Sequence, residues 1–399
     1  MLRFSSALFL LTMVGCSQPP AASSLPVGVP LETAAKSSGL KTLYRFSNAV
    51  DGNRPVGALF PLNGVLYGTT NFGGHLSGIC VPGSSGPSGR GCGVVYKIST
   101  AGSFALLHTF GAKGDGSRPY AGLTDVNGTL YGTTSEGGKS DEGTVFEITP
   151  AGKETVLFSF DTNDGSYPRA GLTAVNGVLY GTTYYGGSAG YGAVFSITTG
   201  GSEKVVYSFQ GGTDGALPLG SLIEVNGVLY GTTSAGGPSN DGTVFAISSG
   251  KEKVLHAFSG SDGDQPFPGL TELSGTLYGT TRIGGAHGEG TIFSVTTSGK
   301  ETVLHSFSGG SGDGEQPYDG LTVLNGVLYG ATAFGGSTNN GIIYETTTSG
   351  KETMLASFAG GSGGYGAYAN LTALSGVLYG TTLFGTGSAL GGTIFGFTP

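Results

Sequence analysis

Three kinds of side chain recur in this sequence in a way that could do chemistry: an aspartate in six of seven repeats, a histidine at one repeat position, and arginines beside the aspartates. The aspartates open Asp-Gly-x-x-Pro runs at Asp51, Asp115, Asp164, Asp214, Asp262 and Asp313. A ring of carboxylates suggests a cation, and Asp262-Gly263-Asp264 is the most calcium-like of the six. Calcium takes about six to eight oxygens, however, and one Asp per loop does not supply them. Asp before Gly is also the usual material of a tight turn, through side-chain to backbone hydrogen bonds. The loops are therefore expected to be turns, with no metal and no cofactor.

His108, His256 and His305 stand two residues before a Phe, where Phe158, Tyr207 and Tyr44 stand in other copies. Exchange with aromatic residues marks a packing position, and no partner for a general base recurs beside them in the sequence. His75 and His287 fall in other loops; His287, with Glu289 nearby, is the acid–base candidate set against an ordinary surface histidine. Arg54 and Arg118 share the site before the Pro, and Arg169 follows Pro168. Guanidiniums on consecutive repeats could face a carboxylate ligand, because the planar fork suits bidentate binding. The simpler account pairs each Arg with its own loop Asp. No nucleophile elbow, phosphate loop or zinc-binding helix motif accompanies these residues, so nothing argues for a catalytic set.

The elements that must position them follow from composition. Of 399 residues 79 are Gly, 19 Tyr and 22 Phe, none is Trp, and only 11% are charged. Gly disfavours helix interiors, while the accompanying Thr, Tyr, Phe and Val suit a pleated surface. An all-β chain is expected, and 38% hydrophobic residues suffice to bury a core. A net charge of -8 with no basic run excludes a nucleic-acid partner.

From residue 41 onward the chain is one repeat. Leu-Tyr-Gly recurs with its Leu at Leu66, Leu130, Leu179, Leu229, Leu277, Leu328 and Leu378, at intervals of 64, 49, 50, 48, 51 and 50 residues. In the second copy Ala121 to Val126 and Thr129 to Thr134 flank Asn127-Gly128, a hairpin whose turn needs two positive φ values. Gly143 to Thr149 gives a third strand and Glu154 to Phe160 a fourth. Four strands per unit and seven units predict a seven-bladed β-propeller of antiparallel blades. Blade seven lacks a fourth strand at the C-terminus; Lys41 to Phe46 matches that strand and is predicted to close the ring, antiparallel to Thr393–Phe397.

The repeat, with Gly-Gly after the second strand, resembles kelch repeats. The combination of Leu-Tyr-Gly-Thr-Thr, Gly-Gly and Gly-Thr-Val-Phe is closer to the bacterial GloVer tandem-repeat family. That resemblance implies an exported, variously anchored protein and carries over no activity.

Residues 1–15 read as a lipoprotein signal peptide: Arg3, an apolar run too short to span a bilayer, then Met13-Val14-Gly15-Cys16, which resembles a lipobox. Cys16 is the expected lipid-attachment site and residues 16–40 a flexible tether. Three cysteines less Cys16 leave Cys80 and Cys92 as an expected disulfide around a Gly- and Ser-rich insertion.

The expected protein is a lipid-anchored binding or interaction module of the bacterial cell envelope. Its partners are the membrane, through Cys16, and a glycan, peptide or envelope protein. The alternatives are a carbohydrate-active enzyme and a purely structural envelope protein. Any ligand is expected on the face that carries the varied loops, at Arg54, Arg118, Tyr184, Tyr185, Tyr191, Arg282, His287 and Phe334, with Phe72 beside them.

Overall fold

The computed structural model describes residues 39–47, 50–74, 91–385 and 391–399. The expected signal peptide, Cys16, nearly all of the expected tether, His75 and Cys80 lie outside the described residues.

The described chain is a seven-bladed β-propeller without an α-helix among the described residues. Blade two shows the plan. Thr124–Val126, Thr129–Thr134, Thr144–Ile148 and Glu154–Ser159 form one antiparallel sheet, in that order outward. The first strands of neighbouring blades touch one another, which makes the Asn-Gly hairpin the inner pair of each blade. All seven hairpin turns carry the two positive φ values their sequence predicts, such as 54° and 83° at Asn127 and Gly128, and Ser274 substitutes at 54°.

Alternate residues of the second and third strands face opposite seams, so every seam between blades has its own apolar core. Leu130, Phe146 and Ile148 pack toward blade one with Val95 and Phe110, whereas Tyr131, Val145 and Phe160 pack toward blade three. The Phe that ends each outer strand is a wedge into the next blade. Phe110 meets Phe146 edge to face at 5.2 Å, and Phe160 meets Phe195 at 5.0 Å. The same rings explain the invariant third residue of Leu-Tyr-Gly. A Cβ at Gly132 would lie 2.6 Å from Phe146 Cζ, so only glycine leaves room for the ring.

The two threonines that follow divide their work. The first reaches the next blade: Thr133 Oγ1 donates to Ala170 O at 3.0 Å and Thr232 Oγ1 to Pro268 O at 2.9 Å. The second stays in its own blade, as with Thr134 and Thr144 at 2.7 Å. The ring closes as expected, with Leu40–Arg45 antiparallel to Thr393–Phe397, starting one residue earlier than predicted, at Leu40. A bulge at Leu43, between Thr42 and Tyr44, matches the bulge in the outer pair of every other blade. Thr381 Oγ1 to Pro55 O, at 2.8 Å, adds the blade-to-blade bond across the closure.

Candidate functional site

The loops joining outer strand to next inner strand are the turns their sequence predicts. Asp115 accepts the backbone N–H groups of Gly111 and Gly116 at 3.1 and 2.7 Å. Asp214 accepts those of Gln210 and Gly215 at 2.8 and 2.7 Å. The residue before each Pro has a left-handed backbone. Arg54, Arg118, Tyr167, Leu217, Gln265 and Gln316 have φ between 50° and 59°, and Gly366 takes the seventh position at 70°. Each donates its N–H to a loop carbonyl of the preceding blade at 2.7–3.1 Å. The first six accept, at 3.0–3.2 Å, the N–H of the residue that follows Thr-Thr or its counterpart in their own blade. Main-chain bonds on both sides hold a conformation that costs a non-glycine residue energy. Six side chains of four kinds, Arg, Tyr, Leu and Gln, are thus presented from a common backbone, with Gly366 at the seventh position.

Around this ring the arginines lie against aromatic rings, and Arg118 leaves its loop aspartate for another partner. Arg118 Nη1 donates to Glu136 Oε1 at 2.5 Å, and its Cζ is 5.4 Å from the Phe72 centroid. Asp115, the expected partner of Arg118, is occupied by His108 and backbone amides. Arg54 lies 5.4 Å from Phe72 and 5.9 Å from Phe384. Arg169 is held between Tyr120 and Tyr184, with Cζ to centroid distances of 5.0 and 4.7 Å. Arg282 is held between Phe267 and Tyr318 at 5.6 and 5.1 Å, and its Nη1 donates to Gln265 Oε1 at 3.0 Å. Tyr318 stacks on Tyr368 at 4.3 Å, and Tyr365 on Phe384 at 5.0 Å. Burial raises the hydroxyls of Tyr184 and Tyr368 above the usual phenol value.

Of the residues singled out in the sequence, Arg54, Phe72, Arg118, Arg169, Tyr184, Tyr185 and Arg282 enter this belt of guanidiniums and rings. Tyr185 lies 4.4 Å from Tyr184. Tyr191 packs over Gly211, His287 is exposed on a loop of blade five, and Phe334 pairs across a short ladder with Glu315; none of the three makes an arginine or ring contact among the described residues. Sequence reasoning left out Tyr120, Phe267, Tyr318 and Tyr368. The first three follow the Pro of their Asp-Gly-x-x-Pro loops, so the signal was the residue one place beyond the motif.

The histidines do have partners, contrary to the sequence reading, because the partners arrive from other elements. His108 Nε2 is 3.1 Å from Asp115, His256 2.9 Å from Asp262 and His305 3.3 Å from Asp313. The first residue of the next outer strand completes each group as Glu154, Glu301 or Glu352, with one donor atom from each residue inside 4.8 Å. Three such atoms could ligate a divalent ion. The same Glu and Asp also meet where no histidine is present, as Glu252 and Asp214, whose Asp takes Tyr207 Oη at 2.9 Å. A hydrogen-bond donor for the turn aspartate therefore accounts for His and Tyr alike. Burial first, and the facing aspartate next or, in blade six, after His305 acting in opposition, push Glu252, Glu301 and Glu352 up to about 7.

A family profile, the Gloeobacter/Verrucomicrobia repeat, matches residues 74–286 and 246–399, and the chain belongs to that repeat family. No curated protein matches the sequence. Among solved structures the propeller is similar to virginiamycin B lyase from Staphylococcus aureus, at 12% identity and a TM-score of 0.58, over 90% of this chain and 99% of that one. A putative 6-phosphogluconolactonase from Bacteroides uniformis matches at 14% identity and a TM-score of 0.48, over 74% of this chain and 83% of that one. At 12% identity the likeness to the lyase is one of fold.

Proposed function

We propose that this protein is an exported, lipid-anchored binding module of the bacterial cell envelope, whose ligand sits on the face formed by the Asp-Gly-x-x-Pro loops. The carrying observation is the contrast between that face and its opposite. On the loop face, side chains from Arg to Gly stand at seven equivalent left-handed positions, and four of the chain's seven arginines gather among aromatic rings. The other face repeats short turns that vary little, with Asn-Gly or Ser-Gly in the hairpins and Gly-Lys or Gly-Ser before the outer strands. Variation on a rigid scaffold is where recognition concentrates.

The test is a glycan and peptide array probed with the purified full chain, followed by substitution. Alanine at Tyr185, Arg118 or Arg282 should weaken capture by about tenfold or more, equivalent to about 1.4 kcal/mol, with little change in melting temperature. Alanine at Asn176 or Lys300 should leave capture unchanged. Capture that depends on Asn176 or Lys300 and ignores the loop face would overturn the reading.

A further inference from the structure

We infer that the loop face recognises a carboxylate-bearing polysaccharide, with Arg169 and Arg282 each gripping a uronate carboxylate; this rests on the loop-face reading above. Arg169 is the most telling residue. Its guanidinium is clamped between Tyr120 and Tyr184, its Nε is buried without a hydrogen-bond acceptor, and no ion pair reaches it among the described residues. The nearby Glu136 is taken by Arg118 at 2.5 Å. Arg282 repeats the arrangement across the belt. Two rings lie against it, its Nε is likewise buried and unpartnered, and among the described residues its guanidinium hydrogen-bonds to the neutral Gln265. Asp264 feels its charge but makes no ion pair with it.

Neither guanidinium meets a carboxylate among the described residues, and a charged group held partly out of water without a counter-charge is costly unless something supplies one. Two rings within 5.6 Å of each guanidinium limit the directions from which a ligand can approach, and the planar fork itself suits a carboxylate met bidentately. Each clamp offers one positive charge, matching the single negative charge of a carboxylate better than the nearly double charge of a phosphate monoester.

The rings indicate the rest of the ligand. Tyr185 is 42% exposed. Tyr185 adjoins Tyr184, so an open aromatic face continues the Arg169 clamp. A uronic acid combines an apolar ring face with a carboxylate at its rim, the complement of an aromatic platform beside a guanidinium. An acidic peptide carries its carboxylates on flexible stems and has no such face. The protein's net charge of -8 opposes polyanions in general, so capture must come from local pairing and not from a broad field.

The experiment is affinity electrophoresis of the purified full chain in gels containing polygalacturonate, neutral dextran, dextran sulfate or polyglutamate. Polygalacturonate should retard it most. Arg169→Lys and Arg282→Lys keep the charge and lose the planar fork; each should weaken retardation by about tenfold or more at unchanged melting temperature, and the pair should abolish it. No retardation by polygalacturonate, retardation by dextran sulfate or polyglutamate equal to or stronger than it, or lysine variants that bind like the parent would each overturn the inference. Equal retardation by neutral dextran that still depends on Tyr185 would overturn the acidic ligand alone. Retardation sensitive instead to Asn176→Ala would overturn the loop-face reading with it.

Discussion

Leu40 pairs with Phe397, so a strand from the start of the propeller lies beside the last strand of the chain. Blade seven is completed only by this contact, and Phe46, just beyond it, is 3% exposed and meets Tyr96 of blade one at 5.3 Å. Removing residues up to Phe46 takes away both the outer strand and the wedge. The expected outcome is an open edge, a markedly lower melting temperature and concentration-dependent aggregation by light scattering. A truncated chain that stays monomeric with unchanged melting would show that blade seven closes otherwise.

Five glutamates give the seams a pH dependence. Glu154, Glu203, Glu252, Glu301 and Glu352 are each pushed up to about 7, in the first place by burial. Their folded values lie above the unfolded one, so their contribution to stability is full below about pH 4.5 and lost as pH rises through about 7. The melting temperature should be higher at pH 5 than at pH 8. Replacing Glu154, Glu252 and Glu301 by Gln should flatten that difference and stabilise the protein at pH 8. Asp313 acts in a separate window. Burial raises it, but hydrogen bonds from His305, Ser308 and Gly314 outweigh this and lower it, so its contribution is lost only as pH falls below about 4.

The blade-to-blade threonines should be energetically distinct from their neighbours. Thr232→Val keeps the shape and removes the bond to the Pro268 carbonyl, a loss of about 1–3 kcal/mol by urea denaturation. Thr232→Ser keeps the hydroxyl and should recover most of that. Equal stability of the Val variant and the parent would mean that packing alone joins the blades.

The two processing expectations share one mass measurement. Exported protein should carry a lipid on Cys16, and Cys16→Ser should move it from the membrane to the soluble fraction. Cys92 is 5% exposed and should pair with Cys80, closing a loop whose constraint contributes about 3 kcal/mol in the chain-entropy account. Two free thiols in the intact mass would refute the pairing, and unchanged fractionation of the Cys16 variant would refute the anchor.

The fold was legible because its signals are local and repeated. Asn127-Gly128 prescribes a hairpin by itself, and the closing strand was found by matching Lys41 to Phe46 to the outer-strand pattern. The site was legible only in part, since its contacts join residues that no pattern places together. Arg169 meets Tyr120 from one blade and Tyr184 from another part of its own, and neither spacing announces a clamp. The pairing of Arg118 with Asp115 failed for the same reason: His108 reaches that Asp from the preceding strand, leaving Arg118 to Glu136. A histidine seven residues away along the chain was visible all along, but only the bulged outer strand turns it toward the loop.

The left-handed positions before each proline also bear on how such a protein can change. Their conformation is held by main-chain atoms alone, so any residue that tolerates positive φ can be exchanged there without altering a backbone bond. The permitted alphabet excludes Val, Ile and Thr, whose branched Cβ is strained in that region, and none of the seven is β-branched. Each repeat therefore contributes one freely rewritable character to the loop face, and a duplicated blade brings its own. The chemistry of that face can drift by single substitutions while the ring that displays it is inherited intact.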